Sequence, residues 1–189
     1  MAENISRSSS QMLAFVNEFL ANASADHRLS IKTESISLKD AASRAVQQHW
    51  EAAKRKQLVF QLTLEGDGPL VQADPAALNQ VLDNLLSNAI KFSPPGKHIH
   101  VTVCSPGSQH VECQVQDEGP GFTENDKTRM YHRYARLSAR PTGGEPSTGL
   151  GLSIVKKLVL AMQGELACES TAGGGATFTF RLPRATGTH

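Results

Sequence analysis

The chain has 189 residues and a net charge of +1, a size that suits one domain with a sizeable core plus a short appendage. So small a charge gives no bulk electrostatic reason to expect a nucleic-acid or membrane surface, and no apolar run approaches the roughly 20 residues that span a bilayer. The first apolar segment, MLAFVNEFLA, is interrupted by Asn17 and Glu18 and does not read as a signal peptide. Cys104, Cys113 and Cys168 form an odd, scattered set without metal-ligand spacing, as expected of reduced thiols in a cytoplasmic protein.

In chain order, residues 11–23 place Met12, Val16, Phe19 and Leu20 on one side of a helix. Residues 30–37 suit an edge strand. Residues 38–56 suit a helix with Leu38, Ala42, Ala45, Val46, His49 and Trp50 inward. LVFQLTL, residues 58–64, alternates as a strand. Asp74 and Pro75 are an N-cap and a first-turn proline for a helix whose apolar stripe includes Leu78, Val81, Leu82, Leu85, Leu86, Ala89 and Ile90. HIHVTVCS and HVECQVQDEG form a hairpin with one buried face. Residues 121–148 lose periodicity and gain Gly, Pro, Ser and Arg, which marks a functional or mobile loop. A helix then opens on glycines with Leu152, Val155, Leu158, Val159 and Met162 inward. The strands GELACES and ATFTFRLP close the chain. The sum is an α+β fold, a two-layer α/β sandwich with a mixed sheet of about five strands and three helices on one face.

Four features carry chemistry. Asn84, Asn88 and Lys91 keep helical spacing and form a polar stripe beside the apolar one. Their amides and ammonium suit a hard cation with a phosphate chain, or else cap neighbouring backbone and reach solvent. Asp117 with Gly119 and Gly121 ends a strand: the glycines let backbone approach a flat ligand, and the carboxylate accepts from an exocyclic amine, which favours adenine over guanine. Turns after strands often look the same. Gly149, Leu150 and Gly151 precede a helix whose first amides offer an anion site, without the residues of a Walker loop. Between the last two lies a cationic loop that includes Arg133, Arg136 and Arg140. It reads either as a lid over phosphates or as a solvated loop.

The order of LDNLLSNAIKFSPPG, DEGPGF, TGLGLSIVKKLV and GGGATFTFRLP resembles, box for box, the catalytic ATP-binding domain of bacterial sensor histidine kinases, in the GHKL superfamily with its Bergerat fold. The resemblance covers about residues 30–184. It implies that Asn88 ligates magnesium, that Lys91 meets the phosphates, that Asp117, Gly119 and Gly121 hold adenine, and that Gly149, Leu150 and Gly151 line the triphosphate. Asn84 lies in the same box, and Arg133 and Arg136 match lid positions near the terminal phosphate. Tyr131 and Tyr134 replace the usual lid phenylalanines, and Ala176 stands where threonine is frequent.

Asn84 also stands where the ATP-hydrolysing branch carries a glutamate base, which favours transfer to another group over hydrolysis. None of the seven histidines lies in the family's phosphoacceptor motif. The expectation is therefore an ATP- and Mg²⁺-dependent kinase module acting on a histidine of a dimerisation domain outside this chain, with a response regulator downstream. Residues 1–29 would be the tail of the dimerisation hairpin, 30–184 the catalytic domain and 185–189 a disordered tail. The fragment is expected to be soluble, with the parent's membrane attachment left open. A stand-alone serine kinase of the anti-sigma type and a nucleotide-responsive interaction module are the alternatives.

Overall fold

The computed structural model describes residues 31–66, 68–145 and 147–185. The expected helix at 11–23, and with it the proposed hairpin remnant, lies outside them. The elements are β1 (Glu34–Ser37), α1 (Leu38–Arg55), β2 (Val59–Leu64), β3 (Leu70–Ala73), α2 (Pro75–Phe92), β4 (His98–Cys104), β5 (His110–Asp117), α3 (Glu124–Arg129), α4 (Gly151–Ala161), β6 (Glu165–Ser170) and β7 (Ala176–Pro183). The main sheet has five strands in the order β2-β4-β5-β7-β6, with β2 and β4 parallel and every other pair antiparallel. Helices α1, α2 and α4 pack on the sheet. The mixed α+β architecture is therefore the expected one.

Local chemistry explains the boundaries. The Asp74 carboxylate accepts from the Ala76 and Ala77 amides at 3.0 Å each, and Pro75 fills the first turn of α2. Such a cap is worth about 1 kcal/mol. Ser37 caps α1 by accepting from the Asp40 amide. The leucine stripe of α2 is buried, and the helix packs against α1, α4 and β5.

Three details differ from the sequence expectations. β1 does not edge the main sheet but pairs with β3, which no sequence signal announced. Only four residues long, β3 runs straight into the α2 cap. Trp50 is 50% exposed rather than inward. The buried positions of α1 run through Ala45, Val46 and Ala53, so the inner row narrows along 45-49-53, and Trp50 stands about 100° away from it. Leu64, which shares the alternation of residues 58–64 with the buried Leu58 and Phe60, is exposed where the strand ends.

Candidate functional site

Along β5 the alternation Val111, Cys113, Val115 fills the inner face of the sheet, and the next inward position is Asp117. Its cross-strand neighbours are Ile99 on β4 and Ala176 on β7, both buried and apolar. A carboxylate thus occupies a position built for a fourth apolar side chain. Burial pushes its pKa up to about 6, against hydrogen bonds from the Gly119 and Ala176 amides. The Gly119 N–H donates to Asp117 Oδ1 at 2.8 Å.

Asp117 closes one end of a cleft of about 720 Å³, within the range of small-molecule sites. Near it the walls are apolar: Ala176, its partner across the sheet, and Phe178 line the cleft, with Phe122 packed edge to face on Phe178 at 5.9 Å between centroids. The other end is polar. Asn84, Asn88 and Lys91 face it from α2, Gly149 and Gly151 from the start of α4, and Arg136 and Arg140 from the lid. The sequence reading missed Gln80, Asp83 and Ser87, which also line this end. They share or border the Asn84-Asn88 stripe at helical spacing, so the same periodicity would have found them.

The two asparagines differ in what holds them. Asn84 Nδ2 donates to the Gln80 carbonyl at 2.8 Å, which turns its oxygen toward α4: a Cβ placed on Gly151 would lie 3.1 Å from Asn84 Oδ1 and 3.6 Å from Asn88 Nδ2. Asn88's side chain makes no hydrogen bond among the described residues. No side chain caps the start of α4 either, where Leu150 takes the N-cap position. Its first backbone amides therefore remain open to an anion. Gly149 has φ +72°, and a Cβ there would meet the Ala135 carbonyl at 2.6 Å; only glycine lets this turn lie against the lid backbone. Gly175, at φ +79°, does the same for the backbone of Asp117, whose carbonyl would be 2.1 Å from a Cβ.

Not every expected residue lines the cleft. Gly119 supports Asp117 from behind, Leu150 is buried beneath the glycine turn, and Arg133 is exposed outside the cleft walls, with an interaction of its own. Lid orientation is set by a contact with no periodic signal. Asp126 accepts from Thr123 N at 3.1 Å, Thr123 Oγ1 at 2.7 Å, Ser138 N at 2.9 Å and the Ser138 hydroxyl. Burial works against its charge, but the hydrogen bonds outweigh it and hold the pKa down to about 2. Tyr131 is an uncharged ring, with burial pushing its phenol up to about 12 and Lys156 Nζ lying 4.6 Å from its centroid.

Asp126→Ala is expected to cost about 2 kcal/mol near neutral pH, with faster tryptic cleavage after Arg136. Because the native pKa lies below the unfolded value of 3.8, the native advantage is complete above that pH and is lost as pH falls through about 2. Thermal melts of both proteins across pH check this.

Residues 73–186 match the family model of "Histidine kinase-, DNA gyrase B-, and HSP90-like ATPase" proteins. The chain belongs to this ATPase family. Among curated relatives it is 34% identical to the adaptive-response sensory kinase SasA of Synechococcus sp. (strain JA-2-3B'a(2-13)), over 92% of this chain and 46% of the relative. It is likewise 34% identical to the sensor histidine kinase WalK of Bacillus subtilis (strain 168), over 71% of this chain and 22% of that protein. The chain thus spans less than half the length of either relative. Among solved structures, full-length ShkA in complex with AMPPNP superposes with a TM-score of 0.82 at 26% identity, over 97% of this chain and 38% of that one. These relatives are sensor kinases, as the order of the four boxes implies, and the matched region is the ATP-binding catalytic domain of sensor histidine kinases.

Proposed function

We propose that this chain carries the Mg-ATP-binding catalytic module of a sensor histidine kinase, and that it transfers the γ-phosphoryl of ATP to a histidine on a dimerisation domain for passage to a response regulator. The observation that carries this reading is that Asp117 and Asn88, distant in the chain, open into one cleft that is apolar at the first and polar at the second. In this reading Asp117 accepts from the adenine amine. The α4 amides, Lys91, Arg136 and Arg140 bind the phosphates, and Arg133, outside the cleft walls, meets them only if the lid moves. Residues 30–184 form the module, and 1–29 continue into the dimerisation hairpin. Three free cysteines suit a cytoplasmic setting. No helix among the described residues is long and apolar enough to cross a membrane.

The donors fit magnesium held through phosphate. The described residues contain no His/Cys/Asp/Glu cluster able to cage a metal, and the Asn88 amide, without a hydrogen-bond partner, offers one hard oxygen. Magnesium keeps several waters and is commonly held by few protein ligands plus phosphate oxygens. When bound, it would neutralise charge on the phosphates. The chain's own contribution is positioning and charge complementarity. Asn84 puts a neutral amide where a carboxylate base would be needed, and an amide is too weakly basic to deprotonate water.

The test uses γ-labelled ATP. Alone, the chain is expected to bind ATP and stay unlabelled; mixed with a histidine-bearing dimerisation hairpin, it is expected to produce an acid-labile phosphoprotein on the hairpin. Label on the chain's own histidines contradicts the reading. An acid-stable product would favour a serine kinase instead, and binding without any transfer an interaction module.

A further inference from the structure

The loop that closes the cleft is fastened at its far limb by a residue from outside the site. Lys56, just after α1, directs its ammonium at three acceptors: the Ile90 carbonyl at 2.7 Å, the Lys91 carbonyl at 2.8 Å and Glu145 Oε1 at 2.9 Å. An ammonium has three donors, and here all are used. The Lys56 side chain is only 12% exposed, so its burial is compensated by these contacts. Ile90 and Lys91 belong to the last turn of α2, where carbonyls lack helical partners and the dipole favours a cation.

The Lys91 carbonyl also receives the lid. Thr142 N donates to the Lys91 carbonyl at 3.1 Å, and Thr142 Oγ1 to the Ser93 carbonyl at 2.8 Å. Glu145 Oε2 accepts from Gly143 N at 2.8 Å, which folds residues 142–145 into a compact tab. Arg140 and Ser147, on either side of that tab, both line the cleft. Lys91 lines it too, one residue after Ile90. Lys56 itself does not.

We propose that Lys56 is a positioning residue for the phosphate end of the site: by holding the last turn of α2 and Glu145 together, it fixes the Lys91 backbone and seats the distal limb of the lid. This inference rests on the ATP reading of the cleft. Its signature is asymmetric. Adenosine, which engages only the Asp117 end, should be indifferent to the clasp; ATP should not.

The experiment measures ATP and adenosine affinity calorimetrically for the native chain, Lys56→Met, Lys56→Arg and Glu145→Gln, below each protein's melting temperature. Lys56→Met is expected to weaken ATP about tenfold and adenosine by less than about twofold, with partial recovery in Lys56→Arg and a smaller loss of the same kind in Glu145→Gln. Unchanged ATP affinity in a folded Lys56→Met overturns the clasp, and so does equal weakening of ATP and adenosine, which marks general loosening. If Lys56→Met does not fold, Glu145→Gln decides by the same criterion. A native chain that binds neither ligand defeats the ATP reading itself, whereas a native chain that binds both while the variants match it defeats only the clasp.

Discussion

Asp117→Asn is expected to bind ATP on the order of 100-fold more weakly than the native chain and yet to melt at a higher temperature. The two effects have one cause. The carboxylate is held between Ile99 and Ala176, and burial lifts its pKa from 3.8 to about 6. A raised acid pKa means that the folded state binds the proton more tightly than the unfolded state does. Its contribution to stability is therefore full below pH 3.8 and declines until the pH has passed about 6. Above that, the ionised group costs up to about 3 kcal/mol. An amide removes that cost while its oxygen still accepts from Gly119. A gain of about 5 °C in Tm at pH 7.5, fading toward pH 4, is the expected result. Adenosine adds a second pH readout free of phosphate titration, because its affinity should fall about tenfold per pH unit below about 6, where the acceptor becomes protonated.

Asn88→Ala should leave the fold intact and remove the metal dependence. The Asn88 side chain is half-buried and has no hydrogen bond among the described residues, so its loss breaks nothing in the fold, and alanine is the better helix former by about 0.5 kcal/mol. ATP affinity without magnesium is expected to change by less than about threefold. The enhancement by magnesium should disappear, and transfer to a supplied histidine hairpin should fall on the order of 100-fold or more. Binding titrations with and without magnesium, paired with the transfer assay, check both. A variant that keeps the magnesium enhancement would remove Asn88 from the metal site.

What was legible in the sequence was whatever a period or a cap records. The stripe Asn84-Asn88-Lys91 and the alternation Val111-Cys113-Val115-Asp117 each place a polar group at a geometrically defined position, and both reach the same cleft. The same rule, followed one turn upstream, also reaches Gln80. What was not legible depends on contacts between distant residues. Asp126 and Ser138 lie 12 residues apart, Lys56 and Glu145 lie 89 apart, and neither pair leaves a periodic trace. These contacts help arrange the lid, which is why a list of lid arginines could not tell Arg136 and Arg140, inside the cleft, from Arg133, outside its walls. Trp50 shows the limit of helical periodicity itself: one residue from the inner row is enough to turn an aromatic ring to solvent.

The most direct measurement of whether a single nucleotide spans Asp117 and Asn88 is an amide NMR titration of the native chain, first with adenosine and then with ATP and magnesium. Adenosine is expected to shift resonances of Asp117–Gly121 and its β7 neighbour Ala176, leaving Asn84–Lys91 in place. ATP with magnesium should shift both groups and Gly149–Gly151 along a common saturation curve. Shifts confined to one end with ATP, or two ends saturating at different concentrations, would contradict a single spanning ligand.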